Sequence, residues 1–176
     1  MNEEFFKSDI GQKLLRDTLQ EIIKQTDEEK IELHKRILLN AFKKPDLGNA
    51  LIVEYFELLK RLESTQLRIL SSLFQPDEIV RQIFERIKGN RDNVTDFALK
   101  RNLQEILEID PLLFETASIK LEAENLISTE GKTTLWCAGG YRNTELEEGM
   151  RTMAKGAHEL LTQYGIKFIK FATREL

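Results

Sequence analysis

Apolar residues recur along most of the chain at intervals of three and four, the spacing that lines one side of an α-helix. Ile10, Leu14, Leu15, Leu19, Ile22 and Ile23 predict a first helix whose stripe must pack against something. A second helix is predicted with Thr26 or Asp27 as its cap. Glu28 and Glu29 fall in its first turn, where the helix dipole favours negative charge, and Ile31, His34, Ile37, Leu38, Ala41 and Phe42 form its inner face. Lys43-Lys44-Pro45-Asp46-Leu47-Gly48 ends it. From about Asn49, the residues Leu51, Ile52, Tyr55, Phe56, Leu58, Leu59 and Leu62 cover more than one side, as in a central helix buried between neighbours. Ser64 is placed to cap a new helix carrying Leu67, Ile69 and Leu70, with a bend before it.

Pro76 at a first helical position, followed by Ile79, Val80, Ile83, Phe84 and Ile87, predicts a fifth helix that stops at Gly89-Asn90. Asn93 or Thr95 opens a sixth, with Phe97, Ala98, Leu99, Leu103, Ile106 and Leu107 inward. It ends before Asp110-Pro111, because the residue preceding a proline disfavours helical geometry, and Asp110 caps the seventh. Helical periodicity stops after Leu121: the segment Leu126 to Trp136 carries β-branched residues and a Glu130-Gly131 turn signal, which predicts a short strand or hairpin. Cys137 to Asn143 reads as loop, and Thr144 with Glu147 forms a capping box for a short helix through Met150 and Met153. A short apolar strand then ends at Thr162, and a last amphipathic helix begins at once with Ile166, Phe168, Ile169 and Phe171.

The order of Ser64 to Leu70 as a first helix, Pro111 to Asn125 as a recognition-type helix, Leu126 to Thr129 as a strand entering a wing and His158 to Thr162 as the strand leaving it resembles the winged-helix superfamily. The resemblance spans about the C-terminal two thirds, with extra helices at Asp77 to Lys88 and Val94 to Glu108 and a long wing insertion from Cys137 to Gly156. The expected architecture is mainly α: a helical N-terminal bundle, residues 1–63, packed on a winged-helix-like portion, residues 64–176, with a small β-hairpin. The resemblance implies DNA binding, but the recognition-type segment supplies Glu115, Glu122 and Glu124 against Lys120 alone, so like charges oppose its approach to phosphates. The cations left for a nucleic-acid reading are Lys120, Lys132, Arg142, Arg151 and Lys155.

A formal net charge of −4, spread evenly along the chain, offers no phosphate-neutralising pole. Cys137 is the single cysteine, which excludes an intramolecular disulfide framework and a multi-cysteine zinc site and points to a reducing compartment. The acidic N-terminus lacks the pattern of a secretory signal, and no uninterrupted apolar stretch is long enough to span a bilayer, so a cytoplasmic protein with no membrane partner is expected.

Catalytic chemistry finds little purchase. His34 and His158 are the only histidines, and neither sits at a metal-ligand spacing. Cys137, beside Trp136 and before Gly139-Gly140, is a conceivable nucleophile with His158 as base, yet spacing suggests no third orienting residue, which favours a plain thiol at a strand end. Gly139-Gly140 lacks the pattern of a phosphate-cradling loop. Glu28, Glu29, Glu145, Glu147 and Glu148 are accounted for by helix starts. No catalytic residue, metal ligand or cofactor is therefore assigned. Phe5, Phe6, Phe168 and Phe171, aromatic residues near the chain ends, must pack on the body or on another chain, and mark an expected interface. The resulting expectation is a non-enzymatic interaction or regulatory protein whose partner is itself or another protein, homodimerisation being the simplest form. The alternative is a DNA-binding transcriptional regulator.

Overall fold

The computed structural model describes residues 3–43, 48–89, 99–130 and 146–173. These residues are mainly helical, and they divide into two compact units, Met1–Ser64 with Lys167–Leu176, and Thr65–Ile166. One boundary between the units falls between Ser64 and Thr65. The C-terminal segment Lys167–Leu176 belongs to the first unit.

In the first unit, α1 (Glu3–Lys7) is joined to α2 (Asp9–Lys24) through Ser8, whose hydroxyl accepts from the Gly11 amide at 3.1 Å and donates to the Phe5 carbonyl at 2.7 Å. Gly11 lies against that same carbonyl, where a side chain would collide with backbone. α3 (Glu28–Lys43) is capped by Asp27, whose carboxylate accepts from the Lys30 amide at 3.1 Å. Between Thr26 and Asp27, the sequence alone left the choice open. The Ser64 hydroxyl also donates to Asp27, and this bond, followed by the Lys30 amide, holds the carboxyl below its ordinary value of 3.8.

α4 (Asn49–Arg61) supplies Ile52, Tyr55, Phe56, Leu58 and Leu59 to the interior, as its two-sided apolar pattern predicts. The last helix, α10 (Gln163–Thr173), brings Phe168 and Phe171 to Tyr55, with ring centroids 5.5 Å apart in each pair. At its C-terminal end, where carbonyls lack helical partners, Asn40 Nδ2 of α3 donates to the Phe171 carbonyl at 2.6 Å and Arg36 Nη1 to that of Thr173 at 3.3 Å.

The stripe of α2 departs from expectation. The helix buries Gly11, Leu14 and Thr18, whereas Ile10, Leu19 and Ile23 are 43%, 49% and 83% exposed. Periodicity showed a stripe but not which side of it would be covered: the small Gly11 and the self-satisfied Thr18, bonded to the Leu14 carbonyl at 2.7 Å, allow a slightly rotated face to pack closely.

The second unit contains α5 (Ser64–Phe74) from Thr65 onward, α6 (Pro76–Gly89), α7 (Leu99–Ile106), α8 (Pro111–Ala123), α9 (Leu146–Glu159) and the first turn of α10. α6 packs along α9 and against α7, with Val80, Ile83, Phe84, Leu99, Leu103, Met153 and Ala157 buried. Arg68 Nη2 of α5 donates to the Leu107 carbonyl at 2.7 Å, and Lys100 of α7 pairs with Glu115 of α8. α7 closes with the Ile109 amide on the Gln104 carbonyl at 3.1 Å and Glu108 in the left-handed region, φ 53°.

The described residues contain no strand, only an isolated antiparallel bridge between Ile127 and Leu161. The expected strand from His158 to Thr162 is corrected accordingly. His158 and Glu159 finish α9, whose helical hydrogen bonding runs on until Leu160 and Leu161 turn toward Leu126. The expected hairpin beyond Glu130, Trp136, Cys137, Gly139-Gly140, Thr144 and Glu145 lie outside the described residues, as do Lys44 to Leu47 and the start of the sixth helix at Asn93 or Thr95.

Candidate functional site

The best-defined local geometry in the second unit lies where α8 ends and α10 begins. Asn125 follows α8 in the left-handed region, φ 56°, and the Leu126 amide reaches back to the Leu121 carbonyl at 2.9 Å, a helix ending in which asparagine is favoured after glycine. Two backbone bonds bracket the Ile127–Leu161 bridge: Ser128 N to Leu160 O at 2.8 Å and Thr162 N to Leu126 O at 3.1 Å. The Thr162 hydroxyl then donates to the Asn125 carbonyl at 2.5 Å and accepts from the Gly165 amide at 2.9 Å, so one side chain caps α10 and ties it to the end of α8. Gly165 sits directly on the Leu126 carbonyl, leaving no room for a Cβ. The expected helix start after Thr162 is present, but the residues before it are helix and turn with the one bridge at Leu161, not a strand.

This joint holds α8 with one face in the core and the opposite face in water. Asp110 caps it, its Oδ1 accepting from the Leu112 and Leu113 amides at 2.9 and 3.1 Å, and Pro111 occupies the first turn. Phe114, Ala117, Ser118 and Leu121 are buried. Leu112, Leu113 and Ile119 are 75%, 43% and 57% exposed, and Thr116 and Ala123 are exposed beside them. A helix with apolar residues on two opposite faces is normally covered on both, so this outward face is a distinctive surface, alongside the exposed Ile10, Leu19 and Ile23 of α2. The signal was present in the sequence as Leu112-Leu113-Phe114, Ile119 and Leu121, masked by the acidic residues between them.

That charge is partly accounted for inside the chain. Glu115 pairs with Lys100, and Glu122 Oε1 accepts from the Thr129 amide at 3.0 Å and hydroxyl at 2.5 Å. The nucleic-acid candidates are distributed as follows. Lys120 is exposed on α8, and Arg151 and Lys155 are exposed one turn apart on α9, where Lys155 meets Glu159 at 3.7 Å. Lys132 and Arg142 lie outside the described residues.

Of the aromatic residues named for an interface, three are buried on the body of the protein. Phe5, Phe168 and Phe171 are 3%, 0% and 4% exposed, and each has a partner within the first unit: Phe5 against Phe42 at 5.8 Å, the other two against Tyr55. They satisfy the need to escape water on the body of the protein. Nothing of them remains for another chain. The Phe6 side chain lies outside the described residues.

His34 is the most perturbed titratable group. It lies 1% exposed in α3, its ring edge-on to Phe56 at 5.4 Å, and its Nδ1 has no hydrogen-bond partner among the described residues. Burial first, then the ammonium of Lys30, pushes its pKa from 6.5 down to about 4, with Lys60 acting in the same sense and Glu21 opposing. Lys30 Nζ donates to the Lys60 carbonyl at 3.4 Å, and Lys60 Nζ lies 5.6 Å from the Phe56 ring centre and 3.2 Å from Glu57. The neutral imidazole is a core histidine, buried beside Phe56 in the field of the Lys30 and Lys60 ammonium groups. His158 is exposed at the end of α9, 6.2 Å from the Phe74 ring.

Among the described residues no group of His, Cys, Asp and Glu is arranged to hold a metal ion, and no described helix is long and apolar enough to cross a membrane. No protein family, curated protein or solved structure matches this chain.

Proposed function

We propose that this chain is a non-enzymatic interaction or regulatory protein that associates with itself, in its simplest form as a homodimer. The observation that carries the reading is the outward face of α8, where Leu112 and Ile119 stand in water on a helix whose other side is already in the core. Exposed apolar side chains grouped on one rigid element are the surface from which association gains most, since the helix loses little conformational entropy on binding. A cytoplasmic setting accords with Cys137 as the single cysteine. Light scattering coupled to size exclusion tests the proposal: a dimer is expected at micromolar concentration, and a strict monomer refutes self-association.

A second reading, a DNA-binding regulator of winged-helix type, has its own supporting observation. α8, the Ile127–Leu161 bridge and α10 follow one another in the order of recognition helix, wing base and closing helix. The internal pairing of Glu115 and Glu122 lowers the repulsion that the sequence implied. The face that would enter the groove is nonetheless apolar, without the Arg, Asn or Gln that read base edges. Salt-dependent retention on a mixed-sequence duplex supports this reading, and no retention at low salt ends it.

A further inference from the structure

We propose that the partner of α8 is α8 of a second copy, and that the two helices run parallel about a twofold axis; the inference rests on the self-association reading above and adds its surface and geometry. The exposed residues Leu112, Thr116, Ile119 and Ala123 follow one another at spacings of four, three and four, the repeat of a coiled-coil seam. Leu112 and Ile119 take the larger positions of the seam. Thr116 and Ala123 take the alternate layers, where small side chains allow the helices to approach closely.

The flanks decide both the occupant and its direction. Glu115 and Glu122 lie along one edge of the seam, Leu113 and Lys120 along the other. In a parallel pair the two edges face each other, and Glu115 of one copy meets Lys120 of the other, five residues further on, twice per dimer by symmetry. Its bond with Lys100 already holds Glu115 on that edge. In an antiparallel pair like edges meet: Glu115 faces Glu122 of the second copy, and Lys120 faces Leu113. Opposite charge is thus matched in one orientation and like charge opposed in the other.

The test uses the full chain. Wild type is expected to dimerise, and Ile119→Glu, which sets a carboxylate in the middle of the seam, raises the dimer dissociation constant by about 30-fold or more. Ile119 is 57% exposed, so the monomer keeps its fold, and Leu112→Gln at 75% exposure provides an independent second variant. Lys120→Glu weakens the dimer about fivefold, and Lys120→Arg, which keeps the charge, leaves it intact. Ala123→Cys in a Cys137→Ser background forms a disulfide between copies under oxidised glutathione, with Cys137→Ser alone as control. Antiparallel helices would hold the two introduced thiols about 16 Å apart along the axis, beyond reach of a disulfide. A wild-type monomer at every concentration overturns self-association and this pairing together. A dimer that ignores Ile119→Glu and Leu112→Gln, or that fails to cross-link through position 123, overturns the pairing alone.

Discussion

Acidification from pH 8 to pH 5 is expected to weaken the first unit through one residue, His34. The folded protein keeps this imidazole neutral down to about 4, whereas in the unfolded chain it takes a proton at its ordinary 6.5. Between those values the unfolded state binds more protons, so stability is full above 6.5 and is lost as pH falls toward and through 4. Linkage converts the two values into a loss of about 2 kcal/mol at pH 5, rising to about 3 kcal/mol near pH 4. Asp27, whose carboxyl is held below 3.8, also loses its contribution on acidification, but only as pH falls through the region below that value. Measurement at pH 5 therefore separates the histidine from the carboxylate. The assay is urea unfolding followed by circular dichroism at fixed protein concentration, with His34→Phe beside wild type. Phenylalanine preserves the edge-on contact with Phe56 and removes the titrating nitrogen. Wild type is expected to lose about 2 kcal/mol between the two pH values and the variant to lose less than about 0.5 kcal/mol. Equal losses in the two proteins, or no loss in wild type, would refute the claim that burial, aided by the charges of Lys30 and Lys60, sets the affinity of His34 for a proton.

Three further substitutions test packing and helix ends by the same unfolding measurement. Gly165→Ala drives a methyl group into the Leu126 carbonyl and is expected to cost about 2 kcal/mol; a neutral effect would mean that the α8–α10 joint is loose. Glu108→Gly relieves a left-handed, exposed residue at the end of α7 and is expected to add about 0.5 to 1 kcal/mol, with a loss counting against the assigned backbone geometry. Asn40→Leu removes the donor to the buried Phe171 carbonyl and is expected to cost about 2 kcal/mol, while a stability gain would show that apolar packing there outweighs the hydrogen bond.

Helices and their ends were largely legible from the chain because their causes are local. Asp110-Pro111 and Pro76 start α8 and α6 where they stand, and Ser64 begins α5. Asp110 and the two prolines act within a turn of themselves, through a cap hydrogen bond or a fixed backbone angle, so neighbours in sequence suffice to place those starts, whereas the Ser64 hydroxyl bonds to Asp27 rather than to its own helix. The helix start after Thr162 was legible for the same reason, whereas the single bridge that stands in place of the expected strand was not. Pairing of Ile127 with Leu161 bridges 34 positions, and how far α9 runs before that pairing depends on its packing along α6.

By itself, then, the sequence determined the helical elements, their boundaries at capped ends and the absence of a concentrated charge pole, all of them effects of short range or of composition. Only the tertiary structure decided which faces were covered. It turned Leu19 and Ile23 of α2 outward and took Phe5, Phe168 and Phe171 into the interior. It also closed His34 away from water and left α8 apolar on a side that nothing in the described chain covers. Burial is settled by residues far apart in sequence competing for the same contacts, and helical periodicity records that a face is apolar without recording what will meet it.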